Sequence, residues 1–158
     1  MDKNALFKFC SCVRGALEDI PKADHSRQSS FSCSKFPNGC CGDTSILLAY
    51  LLYQQFKVVS KVVQVYGNHN HVGGSSHSWI LVDDTIIDLT ADQFNEDYGF
   101  NNPAVMITSD TTFHDLFTEH KNLPDNRCRQ LDPKFEKTVS EIKIRLTNQD
   151  GTFPSNGL

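Results

Sequence analysis

Three residues stand in an order that suits covalent chemistry at a carbonyl carbon. Cys41, with Cys40 beside it, lies in Gly39-Cys40-Cys41-Gly42-Asp43, directly before the largely apolar stretch Ile46–Phe56. His77 follows 36 residues after Cys41 in His77-Ser78-Trp79-Ile80, and Asp88 follows 11 residues later in Ile86-Ile87-Asp88-Leu89-Thr90. A cysteine at a helix start faces the positive end of the macrodipole and unpaired backbone N–H groups. Both favour thiolate over thiol and make the sulfur a nucleophile. A neighbouring histidine completes an ion pair and returns a proton to a leaving amine. An acid behind it fixes its tautomer and orientation. Asp88 is flanked by Ile86, Ile87 and Leu89, and a carboxylate in such company is costly unless paired.

The elements that must position these residues follow from periodicity. Leu6, Phe9, Val13, Leu17 and Ile20 recur at helical spacing over residues 4–20, which Pro21 closes. Residues 21–39 are polar loop. A helix opens at Cys40–Asp43 and runs through Phe56; being apolar nearly all round, it is central and buried. Lys57–Tyr66, rich in valine, reads as a strand, and His77–Asp83 and Ile86–Thr90 read as two more. A turn centred on Asp84-Thr85 would make these last two a hairpin with Asp83 opposite Ile86. Asp88 would then face Leu81, leaving His77 four residues away, so a bulge or a longer turn is required. A short fourth strand is expected over Ala104–Thr108, a helix over Thr111–His120 capped by Asp110, and an amphipathic helix over residues 133–147 with Pro133 in its first turn. The resulting class is α+β, with one domain over residues 1–147 and a disordered tail over 148–158.

Composition narrows the function. The chain has 158 residues, a net charge of −4 and no basic run, so it is not built to neutralise nucleic-acid phosphates. No apolar run reaches the roughly 18 residues of a membrane span. The six cysteines are Cys10, Cys12, Cys33, Cys40, Cys41 and Cys128. Without a signal-peptide pattern at the N-terminus they read as free thiols in a reducing, cytoplasmic setting, which includes delivery there as an effector or toxin. Cys10 is read as packing on the first helix. No Cys-x-x-Cys occurs, so zinc held by Cys33, Cys41, His71 and His77 is only an alternative. No cofactor is expected. His69 and His71 read as solvated loop residues. Trp79 shares the face of His77 and shields it, or simply packs in the core. Asp92-Gln93-Phe94 closes a loop.

Phe36-Pro37-Asn38-Gly39-Cys40-Cys41-Gly42-Asp43-Thr44-Ser45, His77-Ser78-Trp79, and Ile87-Asp88-Leu89-Thr90-Ala91-Asp92-Gln93-Phe94 together resemble the papain-like, transglutaminase-like cysteine hydrolase superfamily over about residues 30–95. The resemblance implies a nucleophile at the start of a buried helix packed on an antiparallel sheet that carries the other two residues, in the chain order Cys, His, Asp. Cys41, followed by Gly42 and Ser45, matches the nucleophile position; Cys40 is the alternative. The backbone N–H of Cys41 is the natural first oxyanion donor, and Asn38 is the side chain nearest in sequence for the second. The expected activity is cysteine-dependent amide hydrolysis or acyl transfer through a thioester, as in a peptidase, glutamine deamidase or transglutaminase, on a protein or peptide substrate. The alternatives are a non-catalytic binding module of the same fold and a small zinc-binding domain.

Overall fold

The computed structural model describes residues 2–67, 72–122 and 128–150. Helix α1 spans Lys3–Asp19, with the Asp2 carboxylate accepting from the Asn4 and Ala5 N–H groups at its start. Two short 3-10 turns, Lys22–Asp24 and Ser30–Ser32, occupy the polar segment that follows. Helix α2 is Cys41–Phe56 and ends at Lys57, which adopts a left-handed conformation with φ 57°. Strands β1 (Lys61–Gly67), β2 (Ser76–Val82) and β3 (Thr85–Asp88) come next. A 3-10 turn over Ala91–Phe94 leads into the short helix α3, Asn95–Tyr98, and then strand β4, Met106–Thr108. The 3-10 turn His114–Leu116 precedes β5, Phe117–Asn122, and helix α4 runs over Glu136–Asp150.

The fold is α+β. All five strands form one antiparallel sheet in the order β4-β3-β2-β1-β5. Both faces of its centre are covered, which is why β1 and β2 carry runs of consecutive buried residues rather than a clean alternation. Val62, Ile80 and Ile87 face a core shared with Val13, Leu47, Leu51 and Ile142 of the helices. Val63, Trp79 and Ile86 point to the opposite side and pack with Val65, Phe94 and Phe117. No helix among the described residues is long and apolar enough to cross a membrane.

Several sequence expectations change here. The turn between β2 and β3 is Asp83-Asp84, one residue earlier than expected, with Asp83 at φ 51°, a conformation that aspartate tolerates better than most residues. Val82 therefore pairs with Thr85, Leu81 with Ile86 and Ile80 with Ile87. One step further, Asp88 falls opposite Trp79, so His77 is its diagonal neighbour on the same face, within reach of long side chains. No bulge is needed. The first strand begins at Lys61 rather than Lys57, because Lys57 caps α2. The helix expected over Thr111–His120 is instead a 3-10 turn and a strand. Phe117 is buried on the second face of the sheet, and pairing along β1 supplies backbone hydrogen bonds that local helical preference cannot match. The last helix continues to Asp150, so residues 148–150 are helical rather than tail. Residues 151–158, like His69 and His71, lie outside the described residues.

Candidate functional site

The segment before α2 brings Cys40 and Cys41 to a helix start. Gly39 at φ 68° makes the bend, and a side chain there would press on the Ser34 hydroxyl at 3.1 Å. The next two residues diverge. Cys40 is 0% exposed and joins the core under α2. Burial raises its thiol pKa, only partly offset by hydrogen bonds with Ser30 and Ser34. Cys41, in the first turn, is half-buried. Of the two thiols, only Cys41 is open to solvent. Asp43, in the same turn, accepts from the Ser30 N–H at 2.7 Å, the Ser30 hydroxyl at 3.0 Å and Lys134 Nζ at 2.7 Å. These bonds tie the loop and the segment leading into α4 to the start of α2. Gly42 lies over Gln64, which pairs with Ser78 across the β1–β2 ladder. The helix start is thus held at the end of β2 that carries His77.

His77 and Asp88 are each 1% exposed. His77 Nε2 donates to Asp88 Oδ2 at 2.7 Å. The other carboxylate oxygen accepts from the Thr90 N–H at 2.9 Å and the Thr90 hydroxyl at 3.3 Å. A second imidazole, His114, donates from its Nε2 to Oδ2 at 3.0 Å. Burial alone would raise the carboxyl pKa. The charge of His77 and the hydrogen bonds from His114 and His77 outweigh it and hold Asp88 well below the usual carboxylate range. Burial alone would likewise discharge His77. The Asp88 charge and hydrogen bond, joined by the hydrogen-bonding and charge of Cys41, push its pKa up to about 9. Cys41, His77 and Asp88 are therefore brought together in series. The rings of Trp79, Phe94 and Phe117 lie 5.7, 5.0 and 5.3 Å from the His77 ring. Trp79 does shield the imidazole, as its shared face suggests.

Three side chains at the site escape sequence reasoning. Gln93 is the first. Its Nε2 donates to the Thr90 carbonyl at 3.0 Å and lies 3.2 Å from His77 Nδ1. Its Oε1 accepts from the Gly39 N–H at 3.4 Å. Asn38, the expected oxyanion side chain, is exposed in the turn before Cys40; the amide set against His77 belongs to Gln93. His114 is the second, 2% exposed and near Trp79 with ring centroids 4.5 Å apart. The third is Arg14, which clasps Asp92 through two 2.8 Å bonds and donates to the Leu89 carbonyl at 2.6 Å and the Ala104 carbonyl at 3.3 Å. It holds the segment on which Gln93 stands. A cation among the apolar positions of α1, four residues after Cys10 and three before Leu17, is the signal that could have found it.

His77, Asp88 and His114 are also a group whose types could ligate a metal, their donor atoms lying within 4.8 Å of one another. The arrangement fits proton sharing better. Around a tetrahedral ion with bonds near 2.1 Å, neighbouring donors stand about 3.4 Å apart. Here both imidazole nitrogens close on a single carboxylate oxygen at 2.7 and 3.0 Å. Of the zinc alternative, Cys33 is an exposed thiol bonded to the Ser30 carbonyl, and His71 lies outside the described residues. All six cysteines are free thiols, with Cys10 and Cys128 buried. Burial pushes the Cys10 thiol up to about 12. Compared with protein-family models, curated proteins and solved structures, the chain matches none.

Proposed function

We propose that the protein is a cysteine-dependent amide hydrolase or acyl-transfer enzyme with Cys41 as nucleophile, His77 as acid–base and Asp88 as its orienting carboxylate. The observation that carries this reading is the series itself. A half-buried thiol in the first turn of α2 adjoins an imidazole whose far nitrogen is bound at 2.7 Å to a buried carboxylate. Hydrogen bonds from two imidazoles and from Thr90 keep that carboxylate ionised, so it favours the imidazolium that forms when Cys41 gives up its proton. The Cys41 sulfur attacks the carbonyl carbon, and the carbonyl electron pair moves to oxygen. His77 passes its proton to the departing amine as the carbon–nitrogen bond breaks. The resulting thioester goes to water, as in a peptidase or deamidase, or to an amine, as in a transglutaminase. The papain-like, transglutaminase-like resemblance supports the same roles, and a protein or peptide substrate suits a chain of this size. A reducing cytoplasmic setting, in which free thiols persist, belongs to this proposal.

The test is alkylation of the native protein by iodoacetamide at graded pH, with peptide mapping. Cys41 is expected to react in a His77-dependent manner while Cys40 and Cys10 stay protected until the protein is denatured. A Cys41 that reacts like an ordinary thiol, and whose rate does not change in His77→Ala, would sink the reading in favour of a binding module.

A further inference from the structure

A cavity of about 500 Å³ lies on the second face of the sheet, between the β2–β3 hairpin and residues 109–115. The proposed chemistry at Cys41 makes no use of it. Its floor is apolar, built by the buried side chains of Val63, Trp79 and Ile86 and extended by Leu81. Its rim is acidic. Asp83 and Asp84 of the hairpin turn stand on one side and Asp115 on the other, all three exposed. Among the described residues no lysine or arginine pairs with any of them. The Thr111 hydroxyl donates to Asp115 Oδ2 at 2.6 Å, which leaves the other oxygen of that carboxylate open. Between floor and rim the wall is His114, which is 2% exposed. Its Nε2 is spent on Asp88 Oδ2 at 3.0 Å. Its Nδ1 is buried and has no hydrogen-bond partner. With the proton on Nε2, Nδ1 is a lone pair, and a buried acceptor without a donor is costly.

These features select one kind of ligand. Carboxylates without counter-ions favour a cation. The indole face of Trp79 accepts a cation as well as hydrocarbon. The floor needs an apolar body, and the open lone pair needs an N–H. A bare metal ion fails on the floor, which offers it no oxygen, and an anion is repelled by the rim. We infer that this cavity binds a primary organic ammonium ion, with its hydrocarbon body against Trp79 and Ile86, its charge within the rim of Asp83, Asp84 and Asp115, and one N–H donated to His114 Nδ1. The volume lies within the usual range of small-molecule sites. Cys41 does not line the cavity, so binding here requires no reaction of the thiol and does not depend on the triad reading. A bound ammonium would hold His114 in the tautomer that donates to Asp88.

Trp79 is the one tryptophan of the chain, so intrinsic fluorescence reports on the cavity directly. The full chain would be titrated near neutral pH with cyclohexylmethylamine, which is protonated there as a lysine side chain is. A saturable change with a dissociation constant of about 1 mM or tighter is expected for a ligand of this size. Cyclohexylmethanol keeps the body and loses the charge. The N-trimethyl ion of the same amine keeps the charge and loses every N–H. Each should bind at least about tenfold more weakly. Asp83→Asn, Asp84→Asn and Asp115→Asn combined should weaken the ammonium about tenfold. All three positions are exposed, and asparagine tolerates the left-handed backbone of Asp83, so the fold is kept. In amide NMR spectra the shifts should gather on residues 81–86 and 109–115. No saturation by about twentyfold above that constant, equal affinity for the alcohol or the trimethyl ion, or unchanged affinity in the rim variant would each overturn the inference. Shifts centred on residues 40–43 would place the cation at the triad and overturn it too. The triad reading stands or falls separately, on the alkylation of Cys41.

Discussion

Replacing Asp88 by asparagine tests the electrostatic centre of the site with little change in shape. The His77 ring is 1% exposed, and such burial by itself favours the neutral imidazole. Asp88 reverses the preference, so that the pKa stands at about 9 against an ordinary 6.5. At about 1.4 kcal/mol per pH unit, that gap corresponds to about 3 kcal/mol of stability. Because the folded-state value is the higher one, this contribution is complete below 6.5 and is lost as the pH rises through about 9. In Asp88→Asn the carboxylate charge is gone and burial is opposed only by Cys41, so the His77 pKa should fall and most of the contribution should be lost. Urea unfolding of both proteins near pH ~5.5 and pH ~9.5 measures this directly. The wild type should lose about 3 kcal/mol more than the variant between the two conditions, and taking the difference cancels the titration of groups common to both. An NMR titration of the His77 ring reads the same shift at its source. Parallel stability profiles, or a variant ring that still titrates near 9, would refute the assignment of the imidazolium to Asp88.

Three further variants probe the supports of the triad. Arg14→Met should destabilise the protein by about 3–5 kcal/mol in urea unfolding, since it strands the partly buried Asp92 carboxylate and uncaps two carbonyls. His114→Leu removes one donor from Asp88 Oδ2; it should raise the Asp88 carboxyl pKa measured by NMR and slow acylation of Cys41 about tenfold. His114→Gln, which can still offer an N–H, should restore most of both.

The sequence exposes the parts of this site that depend on local pattern. An apolar run after Gly39-Cys40-Cys41-Gly42 marks α2 and its start within a residue, because burial on all sides leaves a continuous hydrophobic signature. Asp88 among isoleucines signals a paired carboxylate, and His77 is where the alternation with Trp79 places it. The hairpin register is harder. Moving the turn from Asp84-Thr85 to Asp83-Asp84 changes no residue's hydropathy, yet it brings His77 and Asp88 from four residues out of register to two. Thr111–His120 carries helix-start residues, and only the free edge of β1 and the cavity that Phe117 fills decide for a strand. Gln93, His114 and Arg14 act across separations of 16, 26 and 78 residues, which no local window contains.

Arg14 ties the beginning of the chain to its middle. It sits in the first helix, yet its guanidinium secures the segment from Leu89 to Asp92 and the carbonyl of Ala104. A nascent chain therefore holds its thiol, its imidazole and its carboxylate well before they can cooperate. The turn carrying Gln93 is locked only when about two-thirds of the chain has been made and has closed back on its beginning. A proteolytic cut in the exposed stretch behind α1, if it released that helix, would disarm the site without touching any residue that performs the chemistry.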